Sequence, residues 1–296
     1  MTMPASTREE TIDSTKGIHI FVRSWLPESA PRAVVVICHG LNSHSGQYRW
    51  PAEQLCASGL AVYALDLRGR GKSEGERFIV EDIQDWASDV GATVRLAKSR
   101  HSGLPVFLLG HSAGGVTSAT YVLDNQSELA GFICEDFAFQ VPAPGFALTA
   151  ITWLAHIAPH LPALKLKSED FSRDPNVVET LNNDPLTANE AQPVITVAAL
   201  VRADERLHDG FPNITLPLLI LHGTGDKITL QKGSEFFHQT AGSTDKTLKL
   251  YEGHYHDLLN DLGKEDVMGD IQSWLDARIP APQRAPQPQP RLDPHP

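Results

Sequence analysis

The sequence predicts an α/β fold, with a mostly parallel central sheet flanked by helices, and three observations carry that expectation. Short β-branched runs alternate with longer amphipathic segments, which is the pattern of βαβ units. Most of those runs are apolar from end to end, as strands covered on both faces are. A chain of 296 residues, 41% hydrophobic and 21% charged, also buries enough apolar surface to stand without disulfides or metals.

The elements follow in chain order. Residues 1–16 are polar, lack the apolar core of a secretory signal, and are expected to be a flexible N-terminus. IHIFVRSW (18–25) alternates and reads as an early antiparallel edge strand. AVVVIC (33–38), LAVYALD (60–66), PVFLLG (105–110), GFICED (131–136) and PLLILHG (217–223) read as buried parallel strands. TLKLYEG (247–253) alternates again and reads as the last strand. Residues 81–100, 112–124 and 258–277 space their apolar residues as helices do. Between 140 and 212 the rhythm fails. Strands stop, and segments such as FALTAITWLAHIA and EAQPVITVAALVRADERL read as a helical cap inserted into a core made of 17–139 and 213–279. A cap there would cover the C-terminal ends of the strands, where open α/β sheets bind ligands. The last stretch, 280–296, holds seven prolines in seventeen residues and reads as a disordered tail.

Charge and cysteines narrow the partners. A net charge of −11 argues against nucleic acid and against electrostatic attachment to anionic lipid. Residues 137–164 carry no Asp, Glu, Lys or Arg, yet Pro142, Pro144, Pro159 and Pro162 leave too short a span for a transmembrane helix. Transient contact of this cap stretch with a lipid surface is the expectation instead. Cys38, Cys56 and Cys134 are an odd number at wide spacing, with no metal motif. They read as core residues in a reducing compartment, so the expected location is cytoplasmic, with no metal or cofactor.

The strongest chemical signal is Gly110-His111-Ser112-Ala113-Gly114, between an apolar run and a helical segment. That is the context of a nucleophile elbow, where a serine projects from a sharp strand-to-helix turn. Its neighbours two residues away must be small, and the helix N-terminus favours developing negative charge. A nucleophilic serine needs a base, and the base needs an orienting acid, in the chain order serine, acid, histidine. His254 and His256 lie after the last strand, where the base belongs. Asp226 follows PLLILHG, and Glu135-Asp136 end an earlier strand from which an acid can also be supplied. One oxyanion donor should be the N–H of Ala113, and the other the N–H of Leu41, behind the tight turn at Gly40. His39 reads as structural, bonding nearby loop backbone.

CHGLNSHSGQY, ALDLRGRGKSEGER, PVFLLGHSAGG, LHGTGDK and KTLKLYEGHYH together resemble the monoacylglycerol lipase branch of the α/β hydrolases, from about 18 to 279. The resemblance implies the α/β-hydrolase fold and serine hydrolase chemistry. It also implies that the base is the second histidine, His256, with Asp226 as the acid and Leu41 and Ala113 as oxyanion donors. Glycerol-selective members carry a Glu and an Arg after His-Gly, and a second His three residues beyond the catalytic one. Here Ser43, Gln47 and Leu259 stand at those positions, so the glycerol end loses its charged recognition set.

The sequence therefore predicts a carboxylic ester hydrolase acting on small-molecule acyl esters, with lactone or polyester chains as further candidates. The uncharged stretch 146–164, including Trp153 and Leu154, is expected to line an apolar acyl channel, or else to pack as a cap helix on the core. Two rivals come from other classes. One is a non-catalytic small-molecule binding protein on the same scaffold. The other is an aminopeptidase, which needs cap carboxylates such as Glu169, Asp170 and Asp174 to hold the substrate amine.

Overall fold

The apolar runs form the strands they predict. The computed structural model describes residues 6–280. Its strands are β1 Ser6–Asp13, β2 His19–Leu26, β3 Ala33–Cys38, β4 Leu60–Leu65, β5 Val106–His111, β6 Gly131–Glu135, β7 Pro162–Leu164, β8 Gln192–Pro193, β9 Leu218–Gly223 and β10 Lys246–Tyr251. Eight of them make one sheet, in the order β1-β2-β4-β3-β5-β6-β9-β10. From β4 to β10 every pairing is parallel, and β2 alone runs antiparallel, to both β1 and β4.

Side chains alternate across a strand, so the sheet divides the core in two. Val34, Val36, Leu108, Phe132 and Ile220 point to one face and Val35, Ile37, Phe107, Leu109, Ile133 and Leu219 to the other. The helices are α1 Arg49–Ala57, α2 Ile83–Arg100, α3 Ala113–Asn125, α4 Gly145–Leu154, α5 Pro175–Asn182, α6 Val194–Gly210, α7 Gln231–Thr240 and α8 Lys264–Asp276. Trp86 and Val90 of α2, Val116 of α3 and Phe237 of α7 cover the first face. Leu55 of α1 with Val267, Ile271 and Leu275 of α8 cover the second. Both faces are dry, which explains why these runs read as unbroken hydrophobic segments.

Several expectations are corrected. Instead of a flexible N-terminus over 1–16, Ser6–Asp13 form the edge strand β1, and the strand read as an edge, β2, lies inside it. Charge holds β1 in place: Glu9 lies opposite Arg23 and pairs with it at 2.9 Å, and Glu10 accepts from Arg100 at 2.6 Å. A strand held by ion pairs carries no hydrophobic period to be read. Helix α8 begins at Lys264 rather than 258, because Gly263 (φ +90°) turns the chain just before it. Strands do not stop between 140 and 212, since β7 and β8 form a short antiparallel pair there. That segment also carries α4, α5 and α6. The expected proline-rich tail lies outside the described residues from 281 onward.

Candidate active site

Ser112 stands between β5 and α3 with φ 54° and ψ −121°, a left-handed backbone uncommon for a serine. Such a residue stores on the order of 1–3 kcal/mol of strain and persists only where its surroundings enforce it. Here they do. A Cβ on Gly110 would lie 2.5 Å from Ser118 Oγ, and one on Gly114 would lie 2.3 Å from the Cys38 carbonyl oxygen. The turn is therefore packed directly onto the end of β3, and only glycine fits on either side of the serine. Its backbone N–H donates to Glu135 O of β6 at 2.9 Å.

Ser112 Oγ lies 2.8 Å from His256 Nε2, and His256 Nδ1 lies 2.7 Å from Asp226 Oδ2. An ionised carboxylate only accepts, so Nδ1 carries the proton and Nε2 is left to accept from the serine hydroxyl. Burial pushes the Asp226 carboxyl up. The neighbouring His256, with hydrogen bonds from His256 and Thr229, outweighs that and holds it well below the usual carboxylate range. Ile228 and Thr229 N–H donate to its second oxygen at 2.7 and 3.0 Å. Phe171, from the segment between β7 and α5, sets its ring edge-on to the imidazole with centroids 5.4 Å apart. Thr229 and Phe171 carried no signal in the sequence, because neither sits in a motif.

The rival groups are placed elsewhere. His254 turns against the Tyr251 ring, and its nearest acid is Asp261 at 3.9 Å. Asp136 accepts from Gly223 N–H at 2.9 Å and makes no bond to His256. Glu135 accepts from Leu259 N–H at 3.1 Å. Burial raises both carboxyls well above their ordinary range. Two buried trios, His111 with Glu135 and Asp257, and Asp136 with His222 and Asp226, bring potential metal-ligand atoms within 4.8 Å. Burial disfavours the charged form of Glu135 in the first trio and of Asp136 in the second.

Above the serine, the loop after β3 passes so close that a Cβ on Gly40 would lie 2.9 Å from Ser112 Cβ. His39 Nδ1–H donates to the Gly40 carbonyl at 2.7 Å, and His39 Nε2 accepts from Leu67 N–H at 3.1 Å. Burial lowers this histidine to about 4, so it stays neutral with that tautomer fixed. The Gly40 carbonyl and the Leu41 N–H belong to one planar peptide and point opposite ways. Holding the oxygen back on His39 therefore aims the Leu41 N–H forward. Among the described residues, neither that N–H nor the Ala113 N–H has a hydrogen-bond acceptor.

Residues 29–263 match the family described as "Serine aminopeptidase, S33". The chain is 32% identical to the monoacylglycerol lipase of Mycolicibacterium smegmatis, over 92% of this chain and 99% of that one. It is 34% identical to the human monoglyceride lipase, over 88% of each. In three dimensions it resembles the Paleococcus ferrophilus monoacylglycerol lipase, with TM-score 0.79 and 28% identity over 88% of this chain and 99% of that one. The chain belongs to the monoacylglycerol lipase branch of the α/β hydrolases.

In this α/β hydrolase the expected substrate-binding positions are divided. Ser43 is buried near the oxyanion loop. Gln47 is engaged, donating to Asp184 Oδ2 at 3.1 Å beside His44. Leu259 is fully buried in the core cluster with α1 and α8. Trp153 turns outward, 72% exposed, and walls a surface cavity of about 400 Å³ with Glu81, Ile195 and Arg202 instead of an interior acyl channel. Helix α4 packs on α6 by its other side and leaves Leu154 half-buried. A second cavity, about 500 Å³, is walled by Asn42 of the loop after β3, Phe171 and the polar Lys165, Lys167, Glu169 and Asn182. Among the described residues no helix is long and apolar enough to cross a membrane.

Proposed function

We propose that Ser112 is the nucleophile, His256 the general base and Asp226 its orienting acid. The enzyme is a carboxylic ester hydrolase, and the observation that carries this reading is the unbroken chain Ser112–His256–Asp226, with bonds of 2.8 and 2.7 Å. The serine oxygen bonds to the ester carbon as its proton passes to His256 Nε2. The carbonyl oxygen, now negative, is received by the Leu41 N–H of the loop after β3 and the Ala113 N–H at the α3 N-terminus. Its collapse breaks the bond to the alcohol, which leaves with the proton from His256. Water repeats the sequence on the acyl-enzyme and releases the acid.

The aminopeptidase reading needs free cap carboxylates. Asp174 is occupied capping α5 through Asn176 N–H, and Glu169 shares its cavity wall with two lysines. Neither is poised to bind an ammonium group alone, and Asp170 lies near the Lys227 ammonium. A binding-only role leaves the aligned base and serine without a use.

Ser112→Ala should abolish ester hydrolysis while the melting profile stays intact, a loss on the order of a million-fold in kcat. His256→Ala and Asp226→Asn should be severely impaired, the latter by about ten-thousand-fold in kcat. His254→Ala and Asp136→Asn should keep most activity on p-nitrophenyl esters. A dead Asp136→Asn variant with an active Asp226→Asn would move the acid to β6.

For substrate choice, we propose that the alcohol side is weakly discriminated. Gln47 is already paired and Leu259 is buried, while Lys165 and Lys167 are exposed and keep their water. None is a desolvated group that must find a hydroxyl. Measured kcat/KM for a monoacylglycerol and for the matching alkyl ester should differ by less than about tenfold, or roughly 1.4 kcal/mol. A hundredfold preference for the glycerol ester would show that other groups recognise glycerol.

The cap is proposed to touch lipid. Phe146 and Ile157 are 80% and 81% exposed beside Trp153 on a segment free of charged residues, a patch suited to an uncharged interface. Sedimentation with phosphatidylcholine vesicles should carry down wild-type protein and markedly less of a Trp153→Ser, Ile157→Ser variant. Equal sedimentation of the two proteins would remove the cap from any role in lipid contact.

A further inference from the structure

Glu190 lies in the segment between α5 and β8, far in sequence from the serine, yet it reaches the loop over the active site. Its Oε1 accepts from the Asn42 backbone N–H at 2.9 Å. The same oxygen accepts from the buried guanidinium of Arg70 and, at 2.6 Å, from Gln192 Nε2. Arg70 in turn donates to Gln192 Oε1 at 2.6 Å and stacks over Trp86, with its guanidinium carbon 5.1 Å from the ring centroid. Arg70, Glu190 and Gln192 are all buried. A buried charge is retained only where a partner holds it, so this ion pair is a fixed feature of the fold.

The position of Asn42 gives the contact its consequence. Asn42 follows Leu41 and has φ 53°, a left-handed conformation that needs outside support. His39 fixes the peptide that carries the Leu41 N–H, through the Gly40 carbonyl. Glu190 fixes the next peptide, through its N–H. Together they clamp the oxyanion loop from both sides, one clamp from the core and one from the cap. We propose that Glu190, neutralised by Arg70, is a positioning residue that holds the oxyanion loop in its reactive shape and couples seating of the cap to catalysis.

The inference rests on the functional reading of Ser112 and is tested separately from it. Two double variants remove both buried charges and differ only in the acceptor offered to Asn42. R70M/E190Q keeps an amide oxygen there, and R70M/E190L offers none. With a soluble ester, R70M/E190L should lose at least about tenfold in kcat while KM moves by less than about threefold, as a transition-state contact does. Its affinity for a trifluoromethyl ketone, whose hemiketal with Ser112 Oγ places an oxyanion in the site, should fall by the same factor as kcat. R70M/E190Q should stay within about threefold of wild type on both measures. Equal kcat in the two doubles, or a change confined to KM, overturns the proposal. Amide exchange in the wild-type protein needs neither variant nor substrate. The Asn42 amide should exchange slowly, and exchange at the rate of an open loop overturns the clamp. If the wild type shows no Ser112-dependent esterase activity, the functional reading falls, while the exchange measurement still decides the clamp.

Discussion

Three backbone segments meet in contact at Ser112, and the rest of the site depends on that approach. The elbow presses Gly114 against the Cys38 and His39 carbonyls, while Gly40 crosses over the serine Cβ. Neither distance survives a side chain at the glycines. Because the segments are this close, the loop that carries the proposed oxyanion donor Leu41 lies against the serine at the start of α3. The helix dipole then adds to the same point. The backbone conformation of Ser112 is held by packing at the end of the sheet rather than by His256 or Asp226, so the proposed nucleophile is preorganised before any substrate arrives.

The parts of this arrangement that were legible in the sequence are those with a local cause. Strands covered on both faces show continuous apolar runs, and the elbow shows its two glycines. His256 and Asp226 were placed by loop position together with family resemblance, since position alone left His254 and Asp136 open. What escaped had nonlocal causes. Strand β1 is held by Glu9–Arg23 and Glu10–Arg100, pairs made between residues that share no period. Thr229, Phe171 and Glu190 act through contacts formed only once the chain is folded. The uncharged cap stretch reads as the wall of an acyl channel or as a cap helix packed on the core, but its composition fits an exposed apolar patch equally well, and Trp153 faces outward.

The cap contributes more to the site than cover. Phe171 abuts the His256 imidazole and Glu190 accepts from the Asn42 N–H, so two residues of the segment between β6 and β9 reach the surroundings of Ser112. Between them opens a cavity whose walls are polar near the entrance, where Lys165 and Lys167 remain in water. The buried groups behind the triad behave differently. Glu135 and Asp136 are pushed by burial toward the protonated form, which leaves Asp226 as the carboxylate facing His256. Three neighbouring acids thereby take distinct roles by environment.

The central claim is that Ser112 is activated by His256. Intact-mass measurement after exposure to a fluorophosphonate tests it most directly, because the reagent reacts with activated serines and reports the site without a chosen substrate. A single phosphonyl adduct, mapped by digestion to Ser112 and absent from Ser112→Ala and His256→Ala protein, is the predicted result. A wild-type protein that stays unlabelled, or an adduct on any other residue, would contradict the account.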